Sequence, residues 1–171
     1  MVMKLMGSVM VVFASSSVGF AIVRSMRERI ILLVRLQGLL QFLVTEIDFA
    51  VTFFPEALTK IGRSLGSEIE AFCEGVVDML GAGAPLATAW ERASFSFVND
   101  GPLYVHDIQP LLSLAPVIGL TNRQDQLRHI KLAQEYLRQK QHYIEQEFNK
   151  NQKLWQYLGV LGGVVAALVL I

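Results

Sequence analysis

Residues 67–81 read SEIEAFCEGVVDMLG, and their spacing decides the fold class. Ile69, Phe72, Cys73, Val76, Val77 and Leu80 fall at i, i+3, i+4, i+7, i+8 and i+11, one apolar stripe along an α-helix. Ser67 and Glu70 carry the pattern of a capping box at its start, and Gly81 and Gly83 stop it. A helix with one apolar stripe must bury it against other elements. Upstream, Pro55 opens a shorter helix, PEALTKIGRSL, with proline in the first turn where its missing N–H does no harm. Downstream, Pro85 opens PLATAWERA, which puts Leu86, Ala89, Trp90 and Ala93 on the buried side.

Further out the helical period persists. Residues 30–53 contain no proline, and Leu32, Leu33, Leu36, Leu39, Leu40, Leu43 and Ile47 follow helical spacing. Ser94–Pro102 reads as a loop, with Asn99-Asp100-Gly101-Pro102 its turn signal. Leu103–Ile118 is apolar but interrupted by Pro110 and Pro116, which leaves two short helices or one kinked helix. Thr121 and Gln124 form a second capping box, after which neither proline nor glycine occurs before Lys153. On that long helix Ile130, Ala133, Leu137, Ile144 and Phe148 share a face, while Lys140 and Gln141 interrupt the stripe. No stretch alternates as a strand would. The expected fold is all-α, a cytoplasmic bundle of about five to seven helices between two terminal transmembrane helices.

The membrane segments follow from composition. Of 171 residues, 53% are hydrophobic and 18% charged, against roughly 45–50% and 25% in soluble domains. The surplus sits at the ends. Leu5–Val23, LMGSVMVVFASSSVGFAIV, is uncharged and would span roughly 28 Å as a helix, about one hydrocarbon core. Val12-Phe13-Ala14 resembles a signal-peptide cleavage site, but the apolar run continues to Arg24, Arg27 and Arg29, a cytoplasmic anchor. Leu154–Ile171, LWQYLGVLGGVVAALVLI, follows Lys150 and Lys153 and carries Trp155 and Tyr157 at its interfacial end. Both runs keep their basic flank toward the middle of the chain. The expected division is therefore a membrane helix over 1–24, a cytoplasmic bundle over 25–153 and a second membrane helix over 154–171, with both termini extracytoplasmic. Ser15 and Gly19 in the first span, and Gly159, Gly163 and Ala167 in the second, recur every four residues and suit close helix packing in lipid.

Chemistry is harder to find. Fifteen basic and fifteen acidic residues cancel, so no global basic field holds nucleic acid. Cys73 is the single cysteine and lies on an apolar stripe, which excludes an internal disulfide and suits an inert core thiol. His129 and His142 are too far apart on one helix to share a metal, and His106-Asp107 are neighbours that do not face each other on a helix. No phosphate loop, zinc-protease motif or nucleophile elbow occurs. No enzyme activity, cofactor or metal is expected. Charge, however, is segregated. Thr45–Asp107 holds ten acidic against three basic residues, a net of −7, between flanks of +4 and +3. An acidic lobe can simply be solvated, or it can dock a basic partner. Glu56, Glu68, Glu70, Glu74 and Asp78 are the candidate contact residues; Glu70, Glu74 and Asp78, four apart, form one row.

The order of several short motifs is distinctive: Thr45-Glu46-Ile47, Pro55-Glu56-Ala57-Leu58, Ile118-Gly119-Leu120-Thr121-Asn122 with Asp125-Gln126, and Lys153-Leu154-Trp155-Gln156-Tyr157-Leu158-Gly159. With the double-span layout, these resemble the stage III sporulation protein AB family of endospore-forming bacteria over essentially the whole chain. That family's cytoplasmic region is similar to helical domains of the platform proteins of type II secretion and type IV pilus systems. The resemblance implies a non-enzymatic membrane platform in the channel linking mother cell and forespore. Its partners would be a secretion-type ATPase and other channel subunits, its bundle would lie in the mother-cell cytosol, and a homo-oligomer is compatible with it. The alternative is a helical accessory or regulatory subunit of an unrelated membrane transporter. The chain departs from the family at Pro110 and Pro116, and at Leu114-Ala115 where a phenylalanine-glycine is usual. The topology yields a test: a reporter active only in the cytoplasm should work when inserted in the Ser94–Gly101 loop and fail when fused after Ile171. A working C-terminal fusion contradicts the hairpin.

Overall fold

Six leucines on one face of the first helix organise the bundle. The computed structural model describes the backbone of residues 2–49, 53–99 and 101–170, and the side chains of 17, 19–48, 53–99, 101–150 and 157. The helices are α1 (Val2–Phe49), α2 (Phe54–Leu65), α3 (Ser67–Gly81), α4 (Leu86–Asn99), a 3-10 turn (Val105–Asp107), α5 (Gln109–Leu112) and α6 (Arg123–Leu170). The described residues contain no strand, so the fold is all-α as its periodicity predicts. The chain divides into two compact units, one of Ile31–His142 and one of Met1–Ile30 with Tyr143–Ile171.

In the first of these units, Leu32, Leu33, Leu36, Leu39, Leu40 and Leu43 of α1 are all buried. Each such side chain contributes on the order of 1.5–3 kcal/mol by leaving water. Arg35 and Gln37 flank this face two residues apart, about 200° around the helix, and reach in opposite directions. Toward one side, Arg35 Nη1 donates to Glu68 Oε2 at 2.6 Å across the turn into α3. Toward the other, Gln37 Nε2 donates to Gln141 Oε1 at 2.8 Å and Gln134 Nε2 to Gln41 Oε1 at 3.1 Å. Arg123 closes the same register on the Asp48 carboxylate and carbonyl, so α6 runs antiparallel to α1. The core closes through α4. The Trp90 indole N–H donates to the Leu111 carbonyl at 2.9 Å, and the Phe72 ring meets Trp90 edge-on with centroids 5.1 Å apart.

Two glycines hold α2 against α3. A Cβ on Gly62 would lie 3.0 Å from Cys73 Cβ and 3.1 Å from Glu70 Cα, so the antiparallel helices touch nearly backbone to backbone. Gly66 is the whole connection, with φ of 108°, and a Cβ there would also strike the Arg35 guanidinium at 2.8 Å.

Several local expectations are corrected. Ser67 and Glu70 do not form a capping box: the left-handed turn at Gly66 makes Ser67 the first helical residue, and its hydroxyl bonds Glu68 instead. The cap of α6 is Asn122, one residue later than expected, whose Oδ1 accepts the Asp125 N–H at 2.9 Å. Thr121 instead donates its hydroxyl to the Val117 carbonyl. Residues 94–99 are not a loop but the last turns of α4, because Phe97 is buried against Phe72 and the Ser94 hydroxyl donates back to the Trp90 carbonyl. Leu86 is half-buried, and the rest of its expected face is buried. The segment with Pro110 resolves into two short pieces, the 3-10 turn and α5.

The interruption of the α6 stripe is also explained. Lys140 Nζ lies 3.5 Å from Asp107 Oδ1, whose side chain is fully buried. Asp107 Oδ2 accepts the Tyr104 N–H at 3.0 Å, and His106 Nε2 lies 3.3 Å from Oδ1. A polar pair and a glutamine contact thus replace two apolar positions.

In the other unit, Gly19, Ile144 and Phe148 are buried and Arg24 pairs with Glu28 at 2.8 Å. The candidate packing residues Ser15, Gly159, Gly163 and Ala167 lie outside the described side chains. Among the described residues one helical stretch, Gly19–Asp48, is long and apolar enough to cross a membrane. Its leucines from 32 to 43 are the bundle core.

Burial pushes the Cys73 thiol up to about 12, with the Glu74 carboxylate adding to the effect. A thiol held neutral in the folded state contributes stability that is lost as pH rises above the ordinary thiol range toward that value. A thiol reagent at pH 8 should therefore label native protein slowly and denatured protein fast; equal rates would mean α3 is not packed as described. Asp107→Ala should destabilise the bundle by about 2–3 kcal/mol, less than the ~3–5 of a fully buried pair because Lys140 keeps some solvent contact. Glu135→Ala, which breaks an exposed pair with Arg138, should cost under about 0.5 kcal/mol. Denaturation followed by circular dichroism separates the two, and equal small losses would contradict the buried pair.

Candidate partner-binding surface

Acidic residues at a helix start have a local reason to be there, because the aligned peptide dipoles leave the N-terminus partly positive. Glu56 sits in the first turn of α2, and Glu68 and Glu70 in the first turn of α3. Two of the three also have partners. Glu68 is held by Arg35, and Glu70 lies 3.6 Å from Arg63 Nε of α2. The Glu68 carboxyl is drawn below its usual range chiefly by its own backbone N–H, against the effect of partial burial, with Ser67 and Arg35 adding to the lowering. This pair contributes stability above the usual carboxylate range and loses it as pH falls through the lowered value.

Glu74 and Asp78 differ. Both are exposed, and Asp78 stands in the last turn of α3, where the dipole disfavours negative charge and no basic residue offsets it. Glu70, Glu74 and Asp78 step round α3 by about 40° each, whereas Glu68 lies about 160° from Glu70 and about 120° from Glu74, beyond Asp78. The structure therefore brings Glu70, Glu74 and Asp78 into one row and places Glu68 on the opposite flank of the exposed face. Within that row Glu74 and Asp78 are the part of the acidic set that helix stability does not account for.

Two grooves border α3. The first, about 490 Å³, runs between α3 and α4 over Ala71, Gly75 and Ala93, with Glu68 and Arg92 at its rim. The second, about 600 Å³, lies at the end of the bundle, between the start of α2, the last turns of α3 and the Ile118-Gly119 turn. Val77 and Leu80, the far end of the α3 stripe, are only half-buried because they wall this groove rather than fill the core. Phe53 and Leu120, 70% and 72% exposed, are the most exposed large apolar side chains among the described residues. Sequence reasoning missed both. The available signal was an apolar residue standing inside a turn, Leu120 after Gly119 above all.

Other chemistry is sparse. Among the described residues no three His, Cys, Asp or Glu side chains gather as metal ligands. Cys73 is sealed in the core.

The sequence profile of the stage III sporulation protein AB family matches residues 4–171. The chain is 30% identical over 169 residues to stage III sporulation protein AB of Bacillus subtilis (strain 168), covering 98% of this chain and 99% of that one. A solved structure of a stage III sporulation protein AB is similar with a TM-score of 0.67 and 26% identity, over 71% of this chain and 97% of the solved chain. Motif order, helical architecture and full-length identity agree, and the chain belongs to the stage III sporulation protein AB family.

Proposed function

We propose that this chain is a non-enzymatic membrane platform of the sporulation channel between mother cell and forespore. The terminal apolar segments form a hairpin anchor, and the bundle stands in the mother-cell cytosol and receives a secretion-type ATPase on the exposed row of α3. The observation that carries this reading is the position of Glu74 and Asp78. Neither caps a helix and neither is in an ion pair among the described residues, and Asp78 opposes its own helix dipole. Charge kept at a local cost is explained by a partner that meets it. The mechanism is positional: an anchored bundle restrains the ATPase at the membrane and raises its effective concentration there. Membership of the sporulation family and the apolar N-terminal helix support the membrane and sporulation parts of the reading.

The structure selects the variants for the test. Glu70 is engaged by Arg63, so Glu74→Lys with Asp78→Lys changes the surface with the least internal disturbance. Full-length protein carrying both should retain parental helicity and membrane insertion. Its co-purification with the ATPase from sporulating cells should fall, and fall further at low salt than at high salt, since rim charges act through long-range attraction. Binding equal to the parent at low salt would show that this row meets only solvent.

A further inference from the structure

The groove at the end of the bundle gives the docking surface an anchor. Its walls are apolar, formed by Phe54, Val77, Leu80, Leu86 and Ile118, and its one amide side chain, Gln126, is already bonded to the Thr121 carbonyl. Phe53, which lines the groove, and Leu120, which follows the lining residue Gly119, are both exposed, so apolar surface extends from the groove outward at its α2 side and adjoins it at the turn. Stability does not require these two side chains, because neither is buried. Contiguous exposed apolar surface of this kind marks a binding site.

The rim supplies the sign of the partner. Glu56 follows the lining residue Pro55 directly on α2, and Asp78 stands one turn before the lining residue Gly81 on α3, so an exposed carboxylate neighbours the groove on each helix. The other groove beside α3 lacks this character, since Arg92 and the Arg35–Glu68 pair give its rim both signs. The conformation of the partner follows from what the described residues offer. They present no strand edge for an extended peptide to pair with, whereas a helix needs only a slot for side chains at i, i+3 or i+4, and i+7.

We infer that this groove receives an amphipathic helix whose apolar side chains enter between α2, α3 and the Ile118-Gly119 turn while flanking Lys or Arg residues meet Glu56 and Asp78. The inference rests on the partner reading above and specifies its chemistry: a basic amphipathic helix of another protein of the channel.

A photo-crosslinking residue, p-benzoylphenylalanine, placed at position 120 of the full-length chain in sporulating cells tests this. Leu120 is exposed, so the replacement leaves the core intact, and circular dichroism of the purified protein checks it. The crosslinked peptide is then sequenced. The expected product is a segment with helical apolar spacing and flanking basic residues, formed in about tenfold lower yield in the Glu56→Lys, Asp78→Lys background, a change equivalent to ~1.4 kcal/mol. Leu120 replaced in the same way on a chain carrying Val77→Glu should also lose the product. An adduct to lipid, to an acidic or irregular segment or to a second copy of this chain overturns the inference, as does no adduct or a yield indifferent to charge reversal. If the expected helix belongs to a channel subunit other than the ATPase, the groove assignment stands, and the ATPase reading fails only if the Glu74→Lys, Asp78→Lys protein also co-purifies with the ATPase as the parent does. If the ATPase co-purifies through α3 yet position 120 yields nothing, the groove assignment alone fails.

Discussion

Everything in the bundle depends on the leucine face of α1. Leu32 to Leu43 supply a continuous face of six buried leucines in Ile31–His142, and both flanks of that face are polar and committed to different neighbours. Arg35 reaches Glu68 on the α2–α3 side, while Gln37 and Gln41 reach Gln141 and Gln134 on α6. The leucines supply the driving force and the polar flanks set which helix lies where, because a slip of one residue would turn each donor about 100° away from its acceptor. Trp90 and Phe72 then close the face from α4 and α3. α3 is thereby fixed with one side inward, and its acidic row and the groove beside it become surface.

The charges of the bundle sort by whether the fold itself has a use for them. Asp107 is buried and answered by Lys140 and the Tyr104 N–H; Asp48, Glu68 and Glu70 are answered by Arg123, Arg35 and Arg63. Surface pairs of the latter kind contribute little each, but they remove those carboxylates from the set a partner could meet. The segregation visible in composition is therefore larger than the charge available for docking. What remains of the candidate set is Glu56, Glu74 and Asp78, all exposed, of which Glu56 and Asp78 neighbour residues lining the apolar groove. An apolar centre with a charged rim is the usual anatomy of a recognition surface.

How far the sequence reveals this depends on the range of each interaction. The α3 stripe was legible because six residues within one helix carry it, and the α1 leucines for the same reason. The end of α4 was not. Ser94, Ser96 and Asn99 argue for a loop locally, and only the burial of Phe97 against Phe72, brought by tertiary packing, keeps the helix going. Lys140 and Gln141 read as defects in a stripe because their partners Asp107 and Gln37 are distant in sequence. The caps slipped for a local reason: a Ser-x-x-Glu pattern does not reveal that Gly66 alone joins two helices. In the candidate surface, the row of Glu70, Glu74 and Asp78 was legible from spacing. That Glu68 faces away and that Glu70 is answered by Arg63 depend on how α1 and α2 lie against α3, which spacing within one helix does not encode.

The central claim is that the functional surface of this bundle is the exposed side of α3 with the neighbouring groove, and amide hydrogen exchange tests it most directly. Full-length protein in a lipid bilayer disc is compared with and without the sporulation ATPase. The account predicts slowed exchange in the second half of α3 and in residues 117–121, with the outer face of α6 unchanged. Slowed exchange confined to α6, with α3 and residues 117–121 unaffected, would contradict it.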